Sequence, residues 1–407
     1  MTRSGWRPST RSSRRSCAAR ETTSSSTCSC PYGFPDGHVR PWRSWIWSPV
    51  VSVDRLWLTD FRNHASVDVV LDPGVTLVVG SNGQGKTNLV EAIAWLARGS
   101  SFRGAPNEAL IRHGADRAVV RAEVTEGERT ILLEAEITST GRNRILVNSN
   151  QVQRMRDLLG HFRTTVFGPE DLGVVKGGPG GRRRWLDDLL ADVHPRNHLL
   201  STDLDRILRQ RNALLKQARG RLTDDVAMTL DVWDAKLGEV GGNLAAARRE
   251  ILGALEPLVG DFLGAVSGGT SDISMAYCDE WSAEGLVESL GHARADDVRR
   301  GISTVGPHRD DVMIRMDGLP TRTHSSQGEQ RSLALAMRLA GHRLVVDRTG
   351  TDPVVLLDDV FSELDDDRVR ALVDILPVTQ SVITTAGTVP DGVEAGSVLR
   401  LADGVFS

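Results

Sequence analysis

Apolar positions alternate through Val67, Val69 and Leu71, then close into a run at Val75, Leu77, Val78 and Val79. Alternation marks a half-buried strand, and a closed run marks a strand covered on both faces. Residues 53–80 therefore predict strand, turn, strand, turn, strand. From Thr87 the period becomes helical, with Leu89, Ile93, Ala94, Leu96 and Ala97 on one side. Residues 117–150 read as antiparallel strands, and a helical stretch is expected around 151–163. A short strand, a glycine-rich turn and a helix start follow in "TTVFGPEDLGVVKGGPGGRRRWLDDLLADV". Residues 196–260 are helical, with one stripe from Leu204 to Leu215 and another from Leu244 to Leu258. Gly241-Gly242 separates the stripes and predicts a bend or break. Sustained heptads are absent, so the arms are short rather than a long coiled coil. Residues 265–300 give little pattern beyond a strand at "DISMAY". Residues 301–320 read as strands and 325–346 as a capped helix. Residues 352–376 read as a buried strand then a helix, and "QSVITTA" as another buried strand.

A chain of 407 residues, 40% hydrophobic, buries a sizeable core in two lobes. It has no apolar run of about 18 residues, so no membrane span is expected. Cys17, Cys28 and Cys30 share one N-terminal stretch and Cys278 stands alone, which fits a reducing, cytoplasmic location. Residues 1–50 differ from the rest. They hold eight Arg against Glu21 and Asp36, eleven Ser, and no apolar period. They read as a disordered extension or as a mis-set start of translation. That segment carries +6 of a chain whose total is -4, so the remainder is near -10. Residues 141–221 nevertheless hold sixteen Arg/Lys and eight Asp/Glu, an asymmetry that suggests a phosphate-bearing partner.

Gly80, Ser81, Asn82, Gly83, Gln84, Gly85, Lys86 and Thr87 match the Walker A pattern between a strand and a helix. Glycine lets backbone N–H groups approach phosphates, and the helix N-terminus adds positive dipole. Lys86 is expected on the β- and γ-phosphates of ATP and Thr87 on Mg²⁺. "PVVLLDD" ends an apolar strand in two carboxylates. Asp358 is the candidate Mg²⁺ ligand, and Asp359 the group that polarises or orients the attacking water. Ser326, Gly328 and Glu329 open a helix and form a second anion site, suited to a nucleotide held by another subunit. Arg182, Arg183 and Arg184 are candidates for the DNA backbone, with a solvated helix face as the plain alternative. Trp185 reads as core. His308, Asp310 and Asp311 have poor spacing for a metal and read as a buried structural network.

Ser326–Gln330 resembles the ABC-type signature, and Ser362–Asp365 resembles a D-loop. Phe61-Arg62-Asn63 resembles the start of SMC-type DNA-repair ATPases. "LTDFRNH", "GSNGQGKTNLVEAI", "FGPEDLGVVKGGPGGRRRWLD", "VGPHRDD" and "LLDDVFSELD" resemble the blocks of the bacterial RecF family, in order. The resemblance spans roughly Val51 to Ser407. It implies an α/β fold: an ABC-type P-loop ATPase head with mixed sheet, plus a mainly helical second lobe with short arms. The expected divisions are 51–165 and 301–407 for the ATPase lobe and 166–300 for the helical lobe. It further implies ATP with Mg²⁺, an ATP-dependent homodimer, and binding to single-stranded and gapped DNA. RecA loading with RecO and RecR, support of replication, and SOS induction are implied too. Arg62 becomes a candidate phosphate contact, and Ser326 a contact to the γ-phosphate of the partner's ATP. No His follows the last core strand, which reads Thr384-Thr385, and the second acid is Asp359 rather than Glu. Both features predict slow hydrolysis, suited to a weak ATPase used as a switch. A transporter's nucleotide-binding subunit leaves residues 141–221 unexplained. A small-molecule kinase leaves the signature idle.

Overall fold

The computed structural model describes residues 51–153, 157–376, 379–387, 392–402 and 404–407. The expected disordered segment 1–50 lies outside them. The chain opens with β1 (Val51–Phe61), β2 (His64–Val70), β3 (Val75–Val79) and α1 (Lys86–Arg98). Next come α2 (Asn107–Leu110), β4 (Arg117–Glu126), β5 (Arg129–Thr138), β6 (Arg144–Val147), β7 (Asn150–Val152) and β8 (Thr164–Phe167). The helical part holds α3 (Leu172–Lys176), α4 (Pro179–Val193), α5 (His198–Gln217) and α6 (Asp224–Ser267). Then follow β9 (Ile273–Cys278), α7 (Leu286–Arg300), β10 (Asp311–Met316), β11 (Leu319–Pro320), α8 (Thr321–His324) and α9 (Gln327–Thr349). The chain closes with β12 (Val354–Asp358), α10 (Asp366–Ile375), β13 (Ser381–Thr385), β14 (Ser397–Ala402) and β15 (Val405–Phe406).

Among the described residues, the central sheet has the order β15-β14-β3-β13-β12-β8. Its strands β14, β3, β13, β12 and β8 run parallel. The period of two divides β12 between two cores. Val354 and Leu356 join α1 and the antiparallel sheet β2-β1-β4-β5-β6-β7. Val355 and Leu357 join α4, α6 and α9 on the other face. Both faces are covered, which is why the strand reads as a closed apolar run. Gln380 ties the layers together: its amide donates to the Val53 and Asp72 carbonyls and accepts from Val53 N.

The arm differs from expectation at Gly241-Gly242. The helix α6 runs unbroken for 44 residues, about 66 Å. A Cβ at Gly241 would lie 2.6 Å from Leu286 Cδ2 and 3.1 Å from Pro307 Cγ. The glycine thus serves close packing rather than a break. The helix α7 falls in the stretch that gave no pattern. It packs beside α5 and α6, where Arg211 bonds Asp234 at 2.7 Å and Asp297 at 2.6 Å, all fully or almost fully buried. The expected boundary at 300 runs through a small antiparallel sheet, since β9 pairs with β10. The boundary at 165 runs through β8. Gln151 and Val152, within the stretch expected to be helical, belong instead to β7, which pairs with β6, and no α-helix is found between β7 and β8 among the described residues. No helix among the described residues is long and apolar enough to cross a membrane.

Candidate functional site

The loop from Gly80 to Gly85 joins the end of β3 to the start of α1, as the motif requires. Ser81, Asn82 and Gly83 are exposed, while Gly85 and Lys86 are buried. Gly83 and Gly85 take φ of 81° and 112°, conformations that only glycine adopts at little cost. A Cβ on Gly80 would come within 2.6 Å of Leu401 O, so the loop is backed closely by β14. The N-terminus of α1 has no side-chain cap. Its first-turn N–H groups therefore keep their capacity for an anion. The Lys86 ammonium donates to Gly80 O at 2.6 Å and to Ser81 O at 3.0 Å. Burial pushes its pKa down, opposed by the nearby Asp359 and Asp358 carboxylates.

Thr87 and Asp358 come together from positions far apart in sequence. The Thr87 hydroxyl donates to Asp358 Oδ1 at 2.8 Å. Thr384, from the end of β13, donates to the same oxygen at 2.9 Å. Burial pushes the Asp358 pKa up, and both hydroxyls oppose that shift. A hydroxyl and a carboxylate at this separation suit Mg²⁺, which takes few protein ligands and completes its shell with phosphate and water. No cluster of three His, Cys, Asp or Glu side chains suited to a metal occurs among the described residues. Asp359 adopts φ of 52°, a strained left-handed conformation for a non-glycine residue. Its N–H donates to Thr384 Oγ1 at 3.0 Å. Thr384 thus holds both acids from within the strand that no switch histidine follows. The sequence registered only the missing histidine and gave no sign of this bridge.

The signature turn is an N-terminus of another kind. Ser326 caps α9, with Glu329 N donating to Ser326 Oγ at 3.3 Å and Ser326 N donating to Glu329 Oε2 at 2.6 Å. Ser326 and Glu329 are exposed and Gly328 is half-buried. Arg368 of α10 pairs with Asp365 and donates to Ser332 Oγ at 2.8 Å. Its Nη2 lies 3.2 Å from where a Gly328 Cβ would stand. The D-loop is thereby fixed against the signature helix, a link that sequence alone did not offer. An apolar cavity of about 70 Å³, lined by Phe167, Leu172, Ala334, Leu335, Val360 and Leu364, lies between α9 and the end of β12. It carries none of the phosphate chemistry.

Two expectations change. Arg62 does not reach into the P-loop. Its guanidinium forms a bidentate pair with the fully buried Glu91, at 2.7 and 2.8 Å, and donates to Ala109 O. The reason is electrostatic: a buried carboxylate needs its partner. Arg182, a candidate for the DNA backbone, is buried rather than on the surface. It is 5% exposed, pairs bidentately with Asp311 at 2.7 and 2.9 Å, and donates to Gly177 O. Arg183 is half-buried and donates to Asp310 O. Arg184 alone of the three is exposed. Trp185 is buried in the core. Asp310 accepts from Tyr277 Oη at 2.8 Å and Trp281 Nε1 at 2.9 Å, and His308 Nε2 bonds Ser303 O. In "VGPHRDD", Asp310 is buried, His308 and Asp311 are half-buried and Arg309 is exposed.

Residues 52–388 match the family model described as the RecF/RecN/SMC N terminal domain. The chain is similar to the DNA replication and repair protein RecF of Streptomyces avermitilis, 41% identical over 86% of this chain and 98% of that protein. The RecF protein of Kineococcus radiotolerans is 42% identical over 84% of this chain and 94% of its own length. A solved recombination mediator protein, RecF-ATPrS in the RecFOR pathway, superposes with a TM-score of 0.81 at 30% identity, covering 88% of this chain and 98% of that one. The Smc head domain derived from Pyrococcus furiosus shares the fold, with a TM-score of 0.50 at 18% identity over 88% of this chain and 95% of its own.

Proposed function

The chain belongs to the RecF family, and we propose that it is an ATP-dependent DNA-binding protein of replication and recombinational repair. The observation that carries this reading is a divided nucleotide site on one scaffold: an uncapped P-loop helix beside Thr87 and Asp358, and a self-capped, exposed signature turn. Lys86 and the first-turn amides of α1 would hold the β- and γ-phosphates, and Thr87 with Asp358 would hold Mg²⁺. Bound there, Mg²⁺ neutralises charge on the phosphates. Asp359 orients the attacking water from a backbone position that Thr384 fixes. Ser326 keeps its own hydroxyl proton while its oxygen accepts from Glu329 N, so it can still donate to a phosphate. In this reading that phosphate belongs to a second copy of the chain, and the ATP-bound dimer is the DNA-binding form. Hydrolysis is slow and acts as a release switch.

The substrates proposed are single-stranded and gapped DNA in the cytoplasm, with RecR, RecO and RecA as partners and SOS induction downstream. Of the basic cluster only Arg184 is offered to DNA. The test is DNA binding by the full chain with and without ATP, alongside sedimentation. ATP-dependent dimers that bind gapped DNA support the reading, and ATP binding without dimerisation overturns it. A salt titration assigns the contact: Arg184→Ala should reduce the slope of log K against log salt by about one. An unchanged slope removes Arg184 from the interface.

A further inference from the structure

The turn between β1 and β2 closes on the P-loop from behind. Asn63 Nδ2 donates to Gln84 O at 2.7 Å, while its Oδ1 accepts from Asn88 Nδ2 at 2.7 Å. A carbonyl only accepts, so the first bond fixes which way the Asn63 amide faces, and Asn88 follows. His64 is 1% exposed, and its Nε2 lies 3.0 Å from Gly85 O. A carbonyl can only accept, so the ring proton sits on Nε2. Nδ1 is then a bare lone pair, buried with no partner among the described residues. The Phe406 ring, 5.7 Å away, packs against the imidazole. A Cβ at Gly85 would lie 2.6 Å from Asn63 Nδ2 and Oδ1 and 2.8 Å from His64 Nε2. Backbone and side chains are in direct contact here.

A trans peptide is planar, and its C=O and N–H point in opposite directions. Holding the Gln84 carbonyl from behind turns the Gly85 N–H to the front. Holding the Gly85 carbonyl does the same for the Lys86 N–H. Helix geometry already directs the Gly85 carbonyl, which accepts from Asn88 N and Leu89 N. The Gln84 carbonyl precedes the helix, so Asn63 has the greater influence.

We infer that Asn63 and His64 are positioning residues of the phosphate cradle, which set the peptide planes that present the Gly85 and Lys86 amides to a nucleotide's β-phosphate. The inference rests on the nucleotide reading above. It assigns "FRNH" a role distinct from phosphate contact: Arg62 grips α1 through Glu91, while Asn63 and His64 aim the loop.

The test uses the full chain and calorimetric titration with ATP, ADP and AMP, with melting temperature as a parallel measurement. Asn63→Ala and His64→Leu should each weaken ATP and ADP by about five- to tenfold, the effect of one lost hydrogen bond. AMP, which lacks the β-phosphate, should change by less than about twofold. His64→Gln, whose side-chain amide can donate to the same carbonyl, should restore ATP affinity to within about twofold of wild type. Equal weakening of all three nucleotides together with a lowered melting temperature would mean a merely structural stitch, and the inference fails. If wild type binds ATP and both variants bind it equally well, this inference alone falls. If wild type binds no ATP, the nucleotide reading falls and takes this inference with it.

Discussion

The helices α1 and α9 both begin at a candidate phosphate contact, yet their ends are built in opposite ways. The end of α1 has a glycine N-cap with no side-chain bond and is backed by Asn63, His64 and Leu401. Its own groups leave the first-turn amides to an outside anion. The end of α9 carries a complete capping box between Ser326 and Glu329 and stands exposed. It is stable as it is, and can be presented to another molecule. In the function proposed above, the first end is a receptor for a ligand, and the second is a finished surface offered to a partner.

The largest effect should come from removing charge at the first end. Lys86→Ala should weaken ATP by about a hundredfold or more, since a charge-assisted contact aimed at phosphate is lost. A direct titration with ATP checks this. Retained affinity would mean that the α1 end is not the receptor. Next comes Ser326→Arg at the second end. Each chain should bind ATP as before, whereas the dimer should weaken by about a hundredfold, from ~1–3 kcal/mol of overpacking at each of two equivalent sites. Sedimentation with ATP reads the dimer and titration reads the nucleotide. If both fall together, the two ends are not separate half-sites.

Legibility followed locality. Walker A, the acids at 358 and 359, and the capped turn at 326 are contiguous, and each has a local mechanism that residue types reveal. The ion pairs of Arg62 and Arg182 were not legible, because their partners, Glu91 and Asp311, are supplied by the folded chain. An arginine in a basic run carries no mark of a carboxylate 129 positions away. Gly241 misled because a glycine that breaks a helix and one that admits a neighbour look the same in one sequence. The helix α7 was invisible for a related reason. Asp297 occupies a buried position where an apolar residue would have marked the period, and it is tolerated because Arg211 and Thr304 meet it.

Acid should separate the two ends again, by a smaller amount. Burial holds the pKa of His64 below the ordinary range, pushes His308 down to about 4, and pushes His342 down to about 3. Each therefore binds its proton less tightly folded than unfolded. Stability is fully present above about pH 6.5 and is lost as the pH falls through that value, by up to about 1.4 kcal/mol per unit for each group. Glu329, at the other end, is held below its ordinary value by the Ser326 N–H. Its half of the capping box should persist until the pH falls below the usual carboxylate range. Hydrogen exchange, corrected for intrinsic rates, should show residues 84–90 loosening at pH values where 326–332 stay protected. His64→Gln should remove the part of that loosening that belongs to the P-loop. Simultaneous loosening of both segments would show that their supports are not independent.

The smallest change tests whether α9 is finished on its own account. Glu329→Ala removes the limb that reaches back to the Ser326 N–H and leaves the limb from the 329 N–H to Ser326 Oγ. The freed N–H is exposed, so water takes the place of the carboxylate and the cost is only about 0.5 kcal/mol at each end. A single chain should show almost no change in ATP affinity, because nothing in that box contributes to the P-loop. A symmetric dimer uses the end twice. Each free chain carries the same small loss, so it largely cancels and dimer affinity should change by less than about twofold. Titration of ATP with the Ser326→Arg, Glu329→Ala double variant isolates the single chain. A weakened ATP affinity there would mean that the signature end supports the P-loop of its own chain, and the contrast between receptor and finished surface would not hold.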